Sequence, residues 1–95
     1  MRRVLVTMVK DSGDSTSVSV KVDNGNFTIS DVSKLKSEVK RKLVPDIDDA
    51  LYFRIRYNEK VGKSKGIADS IKVSTYDKLN TEIDNIFAKL GVTDE

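Results

Sequence analysis

The stretch LYFRIRYNEKVGKSKG (residues 51–66) carries two incompatible readings. Gly62, Lys63 and Ser64 spell the last three positions of a phosphate-binding P-loop. That motif needs G-x-x-x-x-G-K-S/T between a strand and a helix. Backbone N–H groups and the positive end of the helix dipole then hold the phosphate. Tyr57 stands where the first glycine is needed. After Ser64 come Lys65, Gly66 and IADSIKVS, in which Ile71 and Val73 alternate with Ser70 and Lys72. Alternation at period two marks a strand, not a helix. The stretch therefore reads as a strand, a glycine turn and a returning strand. Gly62 and Gly66 suit such a turn, and the lysines keep it solvated.

Within the first strand of that hairpin, Leu51, Phe53, Ile55 and Tyr57 share one face, and Tyr52, Arg54 and Arg56 share the other. It is the most aromatic segment, which predicts an interior strand. Upstream, RRVLVTMVK places Val4, Val6 and Met8 on one face, and SVSVKV does the same with Val18, Val20 and Val22. The polar cluster DSGDST joins them as a hairpin with more than a two-residue turn. Val32, Leu35, Val39 and Leu43 then recur at helical spacing, with Ser30 or Asp31 as cap and Pro45 closing the helix. Tyr76, Leu79, Ile83, Ile86, Phe87 and Leu90 form a second helical stripe. Ser74 and Asp77 resemble a capping box there, and Gly91 sits at the C-cap. The order is ββαββα. It predicts one α+β domain over residues 1–95, a two-layer sandwich with two helices on one face of a mixed four-stranded sheet.

Composition removes most chemistry. With no cysteine and no histidine among 95 residues, disulfides, thiolate metal sites and imidazole catalysis are excluded. Serines and threonines abound, but none has an identifiable base partner. Asp46, Asp48 and Asp49 in PDIDD lack the glycine and glutamate of an EF-hand loop. No cofactor and no metal is expected, and the protein reads as a non-enzyme. No apolar run approaches the ~18 residues of a membrane span, and MRRVLVTMVK reads as a strand rather than a leader. The expectation is an intracellular, cytoplasmic protein with no membrane partner.

Net charge is only +2, but the charges fall in blocks. Residues 34–44 and 51–65 are basic, and the intervening PDIDD and the tail from Asp77 are acidic. Such alternation predicts a surface with two signs of potential.

The run VLVTMVK…SVSVKV…ISDVSKLKSEVKRKL resembles the first half of a ubiquitin-like β-grasp domain. The run LYFRIRYNEKVGK…DSIKVSTYDKLNTEID is similar to the close of a Phox-and-Bem-type interaction domain. The turn after Tyr57 keeps only Glu59 among its acids, so the resemblance implies the basic class of that family. That class offers a lysine from its first strand, and Lys10 is the nearest candidate. The tail GVTDE is too short and polar to supply the closing β-grasp strand, and no Gly-Gly end implies conjugation. A permuted ferredoxin-like sheet fits the same order of elements.

These readings predict a protein–protein interaction module. Lys10, Arg54, Arg56, Lys60, Lys63 and Lys65 would contact an acidic protein partner, and an open sheet edge would allow a homodimer. The alternative is a small nucleic-acid-binding or mobile-element regulatory or inhibitor protein using the same cations.

Overall fold

The computed structural model describes residues 2–61, 63–64 and 71–94, with side chains over 2–58 and 73–94. The chain runs through β1 (Arg2–Lys10), β2 (Ser15–Val22), β3 (Phe27–Thr28) and α1 (Ile29–Lys42). A 3-10 segment (Val44–Asp49) leads into β4 (Ala50–Val61), β5 (Lys63–Ser64) and β6 (Ile71–Val73). α2 (Tyr76–Leu90) and β7 (Val92–Thr93) follow. The architecture is α+β. The short strands β3, β5 and β7 interrupt the expected order, and β5 enlarges the expected four-stranded sheet.

The main sheet runs β2-β1-β4-β6, with β5 also paired to β4, and every pairing in it is antiparallel. Parallel pairing is confined to a separate ladder, Phe27 with Val92 and Thr28 with Thr93. The mixed pairing expected of one sheet is thus divided between two ladders. The segment after α2, too short for a long closing strand, still pairs over two residues with the chain entering α1.

Alternation builds the core. Val4, Val6 and Met8 of β1, Val18 and Val20 of β2, and Phe53, Ile55 and Tyr57 of β4 are buried on one face. Leu35, Val39 and Leu43 at α1, and Leu79, Ile83, Ile86 and Phe87 of α2, pack in the same cluster. Both helices therefore cover the same side. Fully burying one such side chain contributes about 1.5–3 kcal/mol. Phe27 is anchored edge-to-face on Phe87, with ring centroids 5.2 Å apart. That anchor ties the start of α1 to the end of α2.

The helix caps lie one or more residues earlier or later than the sequence predicts. At α1 the cap is Thr28, not Ser30 or Asp31. Its Oγ1 accepts the Asp31 N–H at 3.2 Å, and the Asp31 carboxylate accepts the Thr28 N–H at 2.9 Å. Burial of Phe27 fixes the chain early enough for the helix to begin at Ile29. At α2 the cap is Thr75, not Ser74, and its Oγ1 accepts the Lys78 N–H at 3.2 Å. Gly91 ends α2 as expected, at φ 83°, where a side chain would be strained.

Leu51 corrects the expected apolar face of β4. It is 57% exposed, whereas Phe53, Ile55 and Tyr57 on the expected face are buried. The β1–β4 register shifts between Val9 and Lys10, where Val9 pairs with Tyr52 but Lys10 pairs with Ala50. Leu51 is the extra residue of this bulge and is turned out of the core.

Candidate binding face

The strands that bury one face present another set of side chains on the opposite face. No described element packs over it. Cross-strand register sets its rows: Thr7 of β1 lies between Ser17 of β2 and Arg54 of β4. Leu5 lies between Ser19 and Arg56, and Arg3 between Lys21 and Asn58. Lys72 of β6 occupies the register position opposite Arg54. The outward positions of β1, β2 and β4 thus hold Arg3, Lys21, Arg54 and Arg56 and no carboxylate. Hydroxyl and amide groups and the apolar Leu5 and Val9 fill the positions between them. Thr7 Oγ1 and Ser17 Oγ share a hydrogen bond at 2.8 Å.

Two arginines on this face lie close together with no ion-pair partner among the described residues. Arg3 and Arg56 are diagonal neighbours across β1 and β4, a spacing of about 7–8 Å at the backbone. At that range two like charges near a surface repel by on the order of 1 kcal/mol. The Nε of each is buried and has no hydrogen-bond partner among the described residues. An unsatisfied buried donor costs roughly 1–3 kcal/mol. An anion laid across the pair would relieve both effects. Arg54 is held differently: its Nη2 donates to the Tyr52 hydroxyl at 3.0 Å, and its guanidinium carbon lies 5.8 Å from the Tyr52 ring centroid. Strand geometry and the ring together orient Arg54 before any ligand arrives.

Acidic residues collect elsewhere. Lys10, Asp11, Ser12, Asp14 and Asp49 line a cavity of about 450 Å³ at the β1–β2 turn. Lys10 Nζ sits 3.2 Å from Asp46 Oδ2, and the Asp11 N–H donates to the Asp49 carbonyl. Lys10 is thus at the far end of β1 from Arg3, about 23 Å away along the strand. Lys10 stands only three residues beyond Thr7, the register partner of Arg54, but there it is paired with the Asp46 carboxylate.

Lys60 and Lys63 lie in the β4–β5 hairpin, where Lys60 pairs with Ser64 and Lys63 with Val61. Their side chains, and Lys65 altogether, lie outside the described residues. Residues expected to form only a loop, 59–61, continue β4 instead. The strand β5 follows Gly62, where a P-loop needs a helix. Arg3, Lys21, Thr7, Ser17 and Asn58 were not singled out from sequence. The alternation that buried Val4, Val6, Val18 and Val20 already assigned their neighbours to the other face. What sequence alone lacked was the β1–β4 pairing that brings Arg3 beside Arg56.

Arg2 belongs to the opposite face and has a structural role. Its Nε donates to the Tyr57 hydroxyl at 3.0 Å and its Nη1 to Asn26 Oδ1 at 2.9 Å. Its guanidinium also lies 5.7 Å from the Phe27 ring centroid. It ties the ends of β1 and β4 to the turn before α1. A cleft of about 330 Å³ between the helices, lined by Lys36, Ser37, Lys40, Tyr76 and Asn80, is flanked by the Lys36–Asp84 ion pair at 2.6 Å. Among the described residues no cluster of His, Cys, Asp and Glu could hold a metal, and no helix is long and apolar enough to cross a membrane.

Comparison with known protein families, with characterised proteins and with solved structures finds no match to this chain. The functional reading rests on the chain's own geometry.

Proposed function

We propose that the chain is a non-enzymatic binding module whose open sheet face takes the backbone of single-stranded nucleic acid. The carrying observation is the face itself: Arg3, Lys21, Arg54 and Arg56 stand among hydroxyl and amide side chains and the apolar Leu5 and Val9, with no carboxylate at the outward positions of β1, β2 and β4. Arginine, lysine, serine, threonine, asparagine and tyrosine are the side chains that contact phosphate and sugar oxygens. The guanidinium fork fits a phosphate in two hydrogen bonds. The Tyr52 ring with Arg54 beside it offers a plane for a base.

The acidic-protein reading draws on the same cations. It is second because the apolar side chains of the face, Leu5 between Ser19 and Arg56 and Val9 between Ser15 and Tyr52, stand singly in β1 and make no cluster of large apolar anchors. Stable protein interfaces usually centre on a dry cluster of such anchors. The basic residues Lys60, Lys63 and Lys65 lie in sequence beyond the Arg3 and Asn58 end of the sheet and would extend the same contact.

The order of hairpin, helix and return strand supports a plan related to the ubiquitin-like domains. In that plan β4, rather than a strand after α2, stands beside β1. A permuted ferredoxin-like description fits equally where only element order is compared. Neither plan alone assigns a partner. An intracellular, cytoplasmic setting is consistent with this proposal.

Fluorescence anisotropy with labelled single-stranded DNA and RNA tests the proposal. Binding should weaken with salt at a log–log slope of about −3, for contacts by four cations at roughly 0.7 each. Arg54→Ala combined with Arg56→Ala should lower both affinity and slope. No binding to either oligonucleotide at low salt, with binding instead to an acidic peptide, would transfer the face to the protein-partner reading.

A further inference from the structure

We infer that the outer edge of β2 joins a second copy of this chain, so that two open faces become one continuous platform. Among the described residues β2 pairs only with β1. It is eight residues long, whereas β6 at the other edge is three. Natural edge strands are usually blunted by proline, by a bulge or by inward charge. β2 has no proline and no register shift against β1, and Lys21 near its end is its only charge.

The hydrogen-bond phase of the edge follows from the hairpin. The Lys10 N–H donates to the Asp14 carbonyl at 2.8 Å, and these residues continue the β1–β2 register. In an antiparallel ladder hydrogen-bonded pairs alternate along the strand. Thr16, Val18, Val20 and Val22 therefore turn their backbone groups toward β1. Ser15, Ser17, Ser19 and Lys21 turn theirs outward, unclaimed by the sheet. An antiparallel copy centred on Val18 sets Ser17 against Ser19 of the second copy, and Ser15 against Lys21 of the second copy. Every outward N–H and C=O then has a partner, and no like charges face each other. The strand is self-complementary in the sense a two-fold contact requires.

The symmetry has a consequence for the face. A two-fold axis perpendicular to an antiparallel pair keeps matching side chains on the same side of the sheet. Both helix layers then lie on one side, and both sets of Arg3, Arg54 and Arg56 on the other. The joining rests on the β2 edge alone. The value of the doubled platform rests on the nucleic-acid reading above.

The test uses the full chain without nucleic acid, in light scattering after size exclusion over a concentration series. The expected result is a mass rising from one chain toward two as concentration increases. Ser19→Pro removes an outward N–H that β1 does not use, and should hold the protein at one chain with its circular dichroism spectrum unchanged. Ser17→Lys with Ser19→Lys is the second variant, for the case where proline disturbs the strand. It sets lysines opposite lysines only in the paired form, and should also give one chain. A single-chain mass for the wild type into the millimolar range would overturn the inference. So would a two-chain mass retained by both folded variants. With the dimer established, lengthening the oligonucleotide from one copy's face to both should tighten its binding to the wild type at least ~10-fold, and should give Ser19→Pro no such gain. Equal affinity for both lengths would overturn the continuous platform while leaving the dimer standing.

Discussion

The same three strands present two different surfaces. On one side of β1 and β4, Val4, Val6, Met8, Phe53 and Ile55 are buried beneath two helices. On the other, at the intervening positions, stand Arg3, Thr7, Arg54 and Arg56 with no described element above them. Adjacent residues such as Phe53 and Arg54 thus do unrelated work. One face is assigned to stability, and the other is free to be charged because the fold does not need it. The difference is best probed by substitutions one residue apart.

The largest expected effect is on the buried side. Phe53→Ala should cost about 3–5 kcal/mol by removing buried surface and leaving a cavity. Arg54→Ala next to it should cost less than about 1 kcal/mol, because it empties no core space. Urea unfolding of the two variants checks this. Similar losses for both would remove the separation of the faces.

Binding should invert that ranking. Arg54→Glu with Arg56→Glu should abolish oligonucleotide binding, a loss well beyond about 10-fold, while the midpoint of unfolding stays close to wild type. Repulsion from the introduced carboxylates adds to the lost contacts. Retained affinity in a variant with an intact fold would break the assignment of the face.

A smaller effect belongs to the capping box. Thr28→Ala leaves the Asp31 N–H without its acceptor and should cost about 1 kcal/mol of stability with no change in binding. A binding loss as large as that of the arginine variants would mean that α1, not the open face, controls the site.

The smallest effect is expected at Glu38 on α1. Arg41 donates to it at 2.8 Å, and this hydrogen bond holds its carboxyl below the ordinary value of 4.5. A carboxyl lowered in the folded state adds stability above its unfolded pKa and loses it as pH falls through the folded value. The wild-type advantage over Glu38→Gln should therefore be small and constant near neutrality, and vanish below pH 4.5. Thermal melts from neutral pH into the acid range check it; an advantage growing toward acid would contradict the pairing.

Much of the packed face was legible in the sequence. Alternation in VLVTM, SVSV and FRIRY, and helical spacing from Leu35 to Leu43 and from Leu79 to Leu90, mark nearly every core residue. Period is a local property, so it survives without knowledge of pairing. Leu51 escaped because a bulge depends on the register of two strands distant in sequence. The caps moved to Thr28 and Thr75 because competing hydroxyls and carboxylates stood within three residues, and tertiary anchors such as Phe27 chose among them. The binding face was only half legible. Arg54 and Arg56 could be read from β4 alone, but Arg3 and Lys21 join them only through pairing over long sequence separations. Lys10 looked equivalent to them in sequence, but it lies the length of β1 from Arg3 and, near the Arg54 row, is paired with Asp46.

The most direct test of the open face is an amide ¹H–¹⁵N spectrum of the labelled protein titrated with a single-stranded oligonucleotide at low salt. Shifts concentrated at Arg3, Thr7, Ser17, Arg54 and Arg56, with α1 and α2 unmoved, are the predicted result. Shifts concentrated on the helices or around Lys10 and Asp49, or none at saturating oligonucleotide, would contradict it.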